Sequence, residues 1–174
     1  MRLISRAAIT VATCLTTPLM LGAQSVNLAA GASMPVGKTA DAVNVGYVVA
    51  GGVGIKPPLA PLGLRIEAMY TQMEFKTSSF GKQNIFGGTA NLTLSGAGMP
   101  LPMGYLIGGI GIYNASVSGG LASGSSSTKT GFNLGAGLNF PLTGFSTYLE
   151  ARFHYVPVSG GDVKFIPITF GLKF

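Results

Sequence analysis

The sequence predicts an all-β chain, an eight-stranded antiparallel up-and-down transmembrane β-barrel, and three observations carry that expectation. First, segments of about ten residues alternate large apolar side chains with small or polar ones, and Gly, Pro and Ser clusters separate them, as membrane-crossing strands require. Second, charged residues make up 9% of the 174, with 27 glycines and a positive mean hydropathy. An average soluble domain carries roughly 25% charge, so something other than water solvates much of this surface. Third, beyond the N-terminal region no uninterrupted apolar run reaches the roughly 18 residues a membrane helix needs. A bilayer core satisfies no unpaired backbone polar group, so strands that cross it must close into a barrel. The length suits one such barrel and is short for two ordinary domains.

The N-terminus reads as an export signal over residues 1–23. Arg2 and Arg6 form a positive n-region, Ala7 to Leu21 an apolar h-region, and Leu21-Gly22-Ala23 a cleavage site. The helix breaker Pro18 and two threonines argue against an ordinary first helix. Cys14, the one cysteine, lies inside this signal; Thr13 is a poor residue before a lipidated cysteine. The expected barrel domain, 24–174, therefore has no cysteine for a disulfide or a thiolate metal site. It carries nine basic and five acidic residues, a formal +4. Lys38, Lys56, Lys76, Lys82 and Lys129 fall in expected loops and turns and form no run, which gives nucleic acid little support as a partner. Lipopolysaccharide phosphates are the more natural anionic neighbours.

Strand one spans Val26 to Met34. Strand two, near Ala42 to Gly54, sets Val43, Val45, Tyr47 and Val49 against Asn44 and Gly46. Strand three, Leu62 to Glu74, points Leu64, Ile66, Ala68 and Tyr70 outward and Arg65, Glu67, Met69 and Thr71 inward. Strand four, about Asn84 to Ser95, sets Ala90, Leu92 and Leu94 against Asn91, Thr93 and Ser95. Strand five, Tyr105 to Val117, is apolar on both parities, so its faces stay unassigned. Strand six alternates Phe132, Leu134, Ala136, Leu138 and Phe140 with Asn133, Gly135, Gly137 and Asn139. Strand seven places Leu149, Ala151, Phe153 and Tyr155 opposite Tyr148, Glu150, Arg152 and His154. In the last strand, Ile166 to Phe174, the even positions are large and apolar and the odd ones are Pro167, Thr169, Gly171 and Lys173. One face of each strand meets lipid and the other a lumen, whose wall is expected to be polar.

Three connections, 56–61, 96–102 and 141–144, are short and rich in Pro or Gly and share one side of an up-and-down barrel. The other side carries 35–41, 76–83, 118–127 and 159–162, the expected extracellular loops. The Gly- and Ser-rich run 119–127 has a flexible composition. Pro157 and Pro167 lack a donor for the ladder and call for a bulge or a place at the rim. With no tryptophan in the chain, any aromatic girdle must rest on Tyr and Phe.

The run Gly31-Ala32-Ser33-Met34-Pro35-Val36-Gly37, the strand Gly131-Phe132-Asn133-Leu134-Gly135-Ala136-Gly137, the step Glu150-Ala151-Arg152 and the terminal Pro167-Ile168-Thr169-Phe170-Gly171-Leu172-Lys173-Phe174 resemble the small bacterial outer-membrane β-barrel family. That family includes opacity-like and adhesion/invasion-type proteins. The resemblance covers nearly all of 24–174 and implies residence in the outer membrane of a Gram-negative-type bacterium. It also implies that Phe174, with Phe170 and Leu172, is an insertion signal read by the barrel-assembly machinery. None of these motifs identifies a ligand.

Chemistry is sparse. His154 is the one histidine, which leaves no multi-histidine metal site and no spare base for a Ser-His-Asp array, and parity points it inward. Gly108-Gly109-Ile110-Gly111 lacks the spacing of a phosphate-binding loop and suits close packing. No enzyme activity, cofactor or metal is expected. The informative residues are Arg65, Glu67, Glu150 and Arg152, which would pack as a charge network in a lumen just wide enough for side chains to fill. The leading expectation is a non-enzymatic outer-membrane barrel with a filled polar lumen. Such a barrel anchors the envelope, or touches lipopolysaccharide, host or neighbouring cells through its loops. The alternatives are a narrow channel for small or apolar solutes and a soluble lipocalin-like barrel, which would bury its apolar face inward and show charge outside.

Overall fold

The computed structural model describes residues 23–57, 60–77, 80–95, 103–119, 124, 126–158 and 161–174. The expected export signal lies outside them, apart from Ala23, and so does the whole of 96–102. The elements are β1 (Ala23–Pro35), α1 (Lys38–Ala42), β2 (Gly46–Lys56), β3 (Leu62–Glu74), β4 (Lys82–Ser95), β5 (Gly104–Ser118), β6 (Ser126–Pro141), β7 (Ser146–Val158) and β8 (Gly161–Lys173). Every strand pairs antiparallel with its sequence neighbours, and β1 pairs with β8 to close the sheet. No edge is left open to pair with another chain.

The registers set the size of the lumen. From Ser25 the partners run through Gly54, Arg65, Asn91, Gly109, Asn133, His154 and Phe165 and return to β1 at Pro35, ten residues further on. That offset over eight strands implies a strand tilt of about 41° and a backbone radius of about 8 Å. Side chains alone can fill so narrow a space.

Alternation decides which side chains enter it. Leu28, Val49, Ile66, Leu92, Ile110, Leu134, Leu149 and Phe170, one from each strand, are exposed on the outside. A continuous apolar wall of this extent is a surface for lipid, not for water. It is the inverse of a lipocalin, whose apolar side chains line the interior. Aromatic pairs mark both ends of the wall: Tyr47 with Tyr70 and Phe132 with Tyr155 near one rim, and Phe145 with Phe174 near the other. Tyr and Phe thus supply the girdle. The rim that holds Ala23 and Phe174 is called the lower one below, and the opposite rim, which carries α1, the upper.

Three expectations are corrected and one open assignment is settled. Strand two begins at Gly46, because Lys38–Ala42 forms a helical turn instead. Val43 therefore leaves the strand's parity, bridges Phe75 and turns into the lumen at 1% exposure. Strand five, unassigned before, points Tyr105, Ile107 and Tyr113 inward and Leu106, Ile110 and Ile112 outward. Its ambiguity arose because both faces are apolar for different reasons, one toward lipid and one toward a dry interior. No bulge forms at Pro167. It stays opposite Ser33 of β1, while on the β7 side the pairing lapses between Ala151↔Ile168 and His154↔Phe165 without a change of register. The missing donor is thus absorbed by two unpaired positions. Pro157 sits exposed at the upper rim opposite Asp162.

The lumen is also not polar throughout. Its upper half is an apolar cluster of Val43, Val48, Met69, Met73, Ile85, Tyr113, Val156, Val163 and Phe165. Helix α1 lies over it, with the Lys164 N–H donating to Thr39 Oγ1 at 2.9 Å, the Asn44 N–H to the Glu74 carbonyl and the Lys76 N–H to the Ala42 carbonyl. A lumen closed off from water at that end can bury apolar side chains as any core does.

Candidate functional site

Strands β3 and β7 face each other across the barrel, and each carries an Arg and a Glu two residues apart on its inner face. Two-residue spacing keeps both on the same side of a pleated strand. The structure brings all four together. Arg65 Nη2 meets Glu150 Oε2, Arg152 Nη1 donates to Glu67 Oε2 at 2.7 Å, Arg152 Nε lies 2.7 Å from Glu150 Oε1, and Arg65 Nε lies 3.3 Å from Glu67 Oε2. Two cations and two anions alternate in a closed ring, and each member is buried. Removing four charges from water is costly, and mutual pairing with added hydrogen bonds is what offsets that cost.

The added bonds come from neighbouring strands. Tyr105 donates to Glu150 Oε2 at 2.7 Å, and Asn91 Nδ2 reaches Glu67 Oε2 at 3.1 Å and Thr89 Oγ1 at 2.9 Å. Asn133 Nδ2 in turn donates to Asn91 Oδ1 at 2.8 Å. The Arg65 guanidinium lies 6.0 Å and 5.7 Å from the ring centres of Tyr105 and Tyr148, within cation–π range of both. Both tyrosines lie flat against the wall because their cross-strand partners are glycines. A Cβ at Gly137 would enter the Tyr105 ring, and one at Gly171 the Tyr148 ring.

Above the ring, His154 is wholly buried, stacks on Phe165 at 4.9 Å and pairs through Nδ1 with the Tyr113 hydroxyl at 2.9 Å. The arrangement puts no nucleophile and carboxylate beside the imidazole, and no cluster of metal-binding groups occurs among the described residues. Below the ring the lumen opens into a cavity of about 290 Å³ toward the lower rim. Phe170 lies on the outer face of β8. Phe174 stacks on Phe145 and exchanges backbone hydrogen bonds with Val26, and Leu172 is opposite Leu28.

Sequence reasoning placed Tyr148, Asn91 and Asn133 on the inner face without assigning them to the network, and it missed Tyr105. Parity held the signal for Asn91 and Asn133. For Tyr105 the available signal was a glycine at the matching height of β6, which becomes visible only once the register is known.

An eight-stranded closed barrel with a lipid-facing apolar wall, aromatic rims and a charged lumen filled by side chains has the fold of the small outer-membrane β-barrels. The chain is similar to Neisserial surface protein A (NspA), with a TM-score of 0.67 and 16% identity over 86% of this chain and 95% of that one. It is similar also to Ail, the attachment invasion locus protein of Yersinia pestis, with a TM-score of 0.56 and 20% identity over 89% of this chain and 100% of that one. The N-terminal β-barrel domain of Pseudomonas aeruginosa OprF matches with a TM-score of 0.50 and 16% identity over 88% and 99% of the two chains. At such identities the likeness is one of fold. No protein-family model and no curated protein sequence matches the chain.

Proposed function

We propose that this chain is a non-enzymatic outer-membrane barrel of a Gram-negative-type bacterium, serving as an envelope structural or surface-interaction protein and not as a channel. The observation that carries this reading is the closed Arg65–Glu67–Arg152–Glu150 ring, capped by the apolar cluster, inside a barrel of about 8 Å backbone radius. Ions have no continuous aqueous path through such a lumen. In this reading residues 1–23 direct export, and the assembly machinery reads Phe170, Leu172 and Phe174. The lower rim, with both ends of the barrel domain, faces the periplasm.

The upper rim supports the contact role. Lys38, Lys76, Lys82, Lys129 and Lys164 stand there against Asp41, Glu74 and Asp162, and two of the lysines pair locally, Lys82 with Glu74 at 3.0 Å and Lys164 with Asp162 at 2.6 Å. Lys38, Lys76 and Lys129 have no ion pair among the described residues and suit lipopolysaccharide phosphates or another surface polyanion. Ail has been crystallised in complex with the heparin analogue sucrose octasulfate. The test is conductance in planar bilayers. The expected result for the purified barrel is the baseline of the bare bilayer, and a steady nanosiemens-scale pore would replace this reading with the narrow-channel one.

A further inference from the structure

The acidic residues of this chain are distributed unevenly along the barrel axis. Asp41, Glu74 and Asp162 sit at the upper rim, and Glu67 and Glu150 in the charge ring. Below the ring no Asp or Glu side chain lines the cavity, and the lower connections contain none in the sequence. What lines it instead is basic: Lys56 at the end of β2, Lys173 at the end of β8 and the underside of Arg65. Lys56 Nζ donates to Ser95 Oγ at 2.7 Å, and the Lys173 side chain makes no ion pair with an Asp or Glu among the described residues. Cations gathered in a cleft with low-dielectric walls focus a positive potential on its interior.

A second, independent feature lies in the same cavity. Asn27 of β1 is 2% exposed, and its side-chain Nδ2 has no hydrogen-bond partner. A buried donor left unpaired is destabilising, and Gly54, directly across from Ser25 of β1, puts no side chain against that amide, where a Cβ would lie 3.5 Å from Asn27 Nδ2. The cavity thus combines two lysines lacking carboxylate partners with a spare buried donor, and an oxyanion answers both. We propose that the lower vestibule is an oxyanion-binding site, in which Lys56, Lys173 and the Asn27 carboxamide hold a phosphate group carried by a small solute or by an anionic lipid headgroup. The volume of about 290 Å³ equals the share of roughly ten liquid waters, enough for a phosphate and a few attached atoms, with the remainder projecting past the lower rim.

The experiment uses the folded barrel in maltoside micelles, which contain no phosphate, titrated with inorganic phosphate at constant ionic strength. The Asn27 side-chain amide and the backbone amides of Gly54, Lys56 and Lys173 are followed by NMR. They are expected to shift together and saturably. Lys56→Met and Lys173→Met should each weaken binding by about tenfold, as loss of one charged hydrogen bond does, with heat-modifiable mobility confirming that both variants remain folded. Nanodiscs separate the two sources. If a lipid headgroup is the occupant, phosphatidylglycerol shifts the same resonances relative to phosphatidylcholine and blocks the phosphate response. If a solute is, phosphate titrates alike in both. Absence of a saturable shift in micelles, an equal response in the Lys56→Met/Lys173→Met double variant, or shifts confined to Lys38, Lys76 and Lys129 would overturn the assignment.

Discussion

Replacing Glu150 by alanine removes the partner of three groups at once: the hydrogen-bond acceptor of Arg65 Nη2 and of the Tyr105 hydroxyl at 2.7 Å, and the ion-pair partner of Arg152 Nε at 2.7 Å. The two arginines then share Glu67 alone, at 3.3 Å from Arg65 Nε and 2.7 Å from Arg152 Nη1, and the neutral ring becomes a buried net cation. Breaking a buried pair in this way typically costs about 3–5 kcal/mol, most of it the penalty on the charge left behind. With a urea m-value of about 1–3 kcal/mol per molar, the midpoint should fall by more than about 1 M. Urea titration of the bilayer-embedded protein, read by heat-modifiable mobility, measures it. Two controls isolate the cause. Ala151→Gly, one residue away on the lipid face, should cost no more than about 1 kcal/mol. The double variant Arg65→Ala/Glu150→Ala restores neutrality and should lose less than the two single changes summed, by about 0.5–3 kcal/mol. An unchanged midpoint for Glu150→Ala, or strict additivity in the double variant, would mean that these side chains are solvated by water and that the ring does not close the lumen.

Other consequences can be checked in the same system. Gly137→Ala places a methyl group against the Tyr105 ring and pushes its hydroxyl off Glu150, with an expected loss of about 1–3 kcal/mol in the same urea assay; a wild-type midpoint would show that the ring can move aside freely. Deleting Phe174 should lower the yield of assembled, heat-modifiable barrel while export across the inner membrane continues, and equal yields would remove the insertion-signal proposal. Mass spectrometry of that exported protein should find Gln24 as its first residue. Shortening 119–127 should leave the urea midpoint in place and reduce cell attachment, and unaltered attachment would favour a purely structural barrel.

The strand alternation was legible because it reflects a local rule. Two-residue periodicity in β3, β6, β7 and β8 separates lipid-facing from lumen-facing side chains with no knowledge of their partners, and the bounds Leu62–Glu74 match the observed strand. The rule failed where its premise did. A helical turn at Lys38–Ala42 shifted the parity of Val43, and in β5 both faces were apolar, so alternation carried no contrast. The same premise, that inner means polar, hid the apolar cluster. Polar inner side chains are needed only where water or a charge network meets them, and the upper half of this lumen meets neither.

By itself, then, the sequence determined the strand count, the face each side chain takes on six of the eight strands, the solvent of the outer wall and the four charges sent inward, since each depends on a residue and its near neighbours along the chain. The tertiary structure alone decided which charges touch. Arg65 and Glu150 are 85 residues apart, as are Glu67 and Arg152, and they meet because the ten-residue stagger of the closed sheet sets β3 and β7 at matching heights across the lumen. That stagger also lays Tyr105 over Gly137 and Tyr148 over Gly171, and it gathers Lys56, Lys173 and Asn27 from three strands into one vestibule. Register belongs to the closed barrel as a whole, and no single strand carries it.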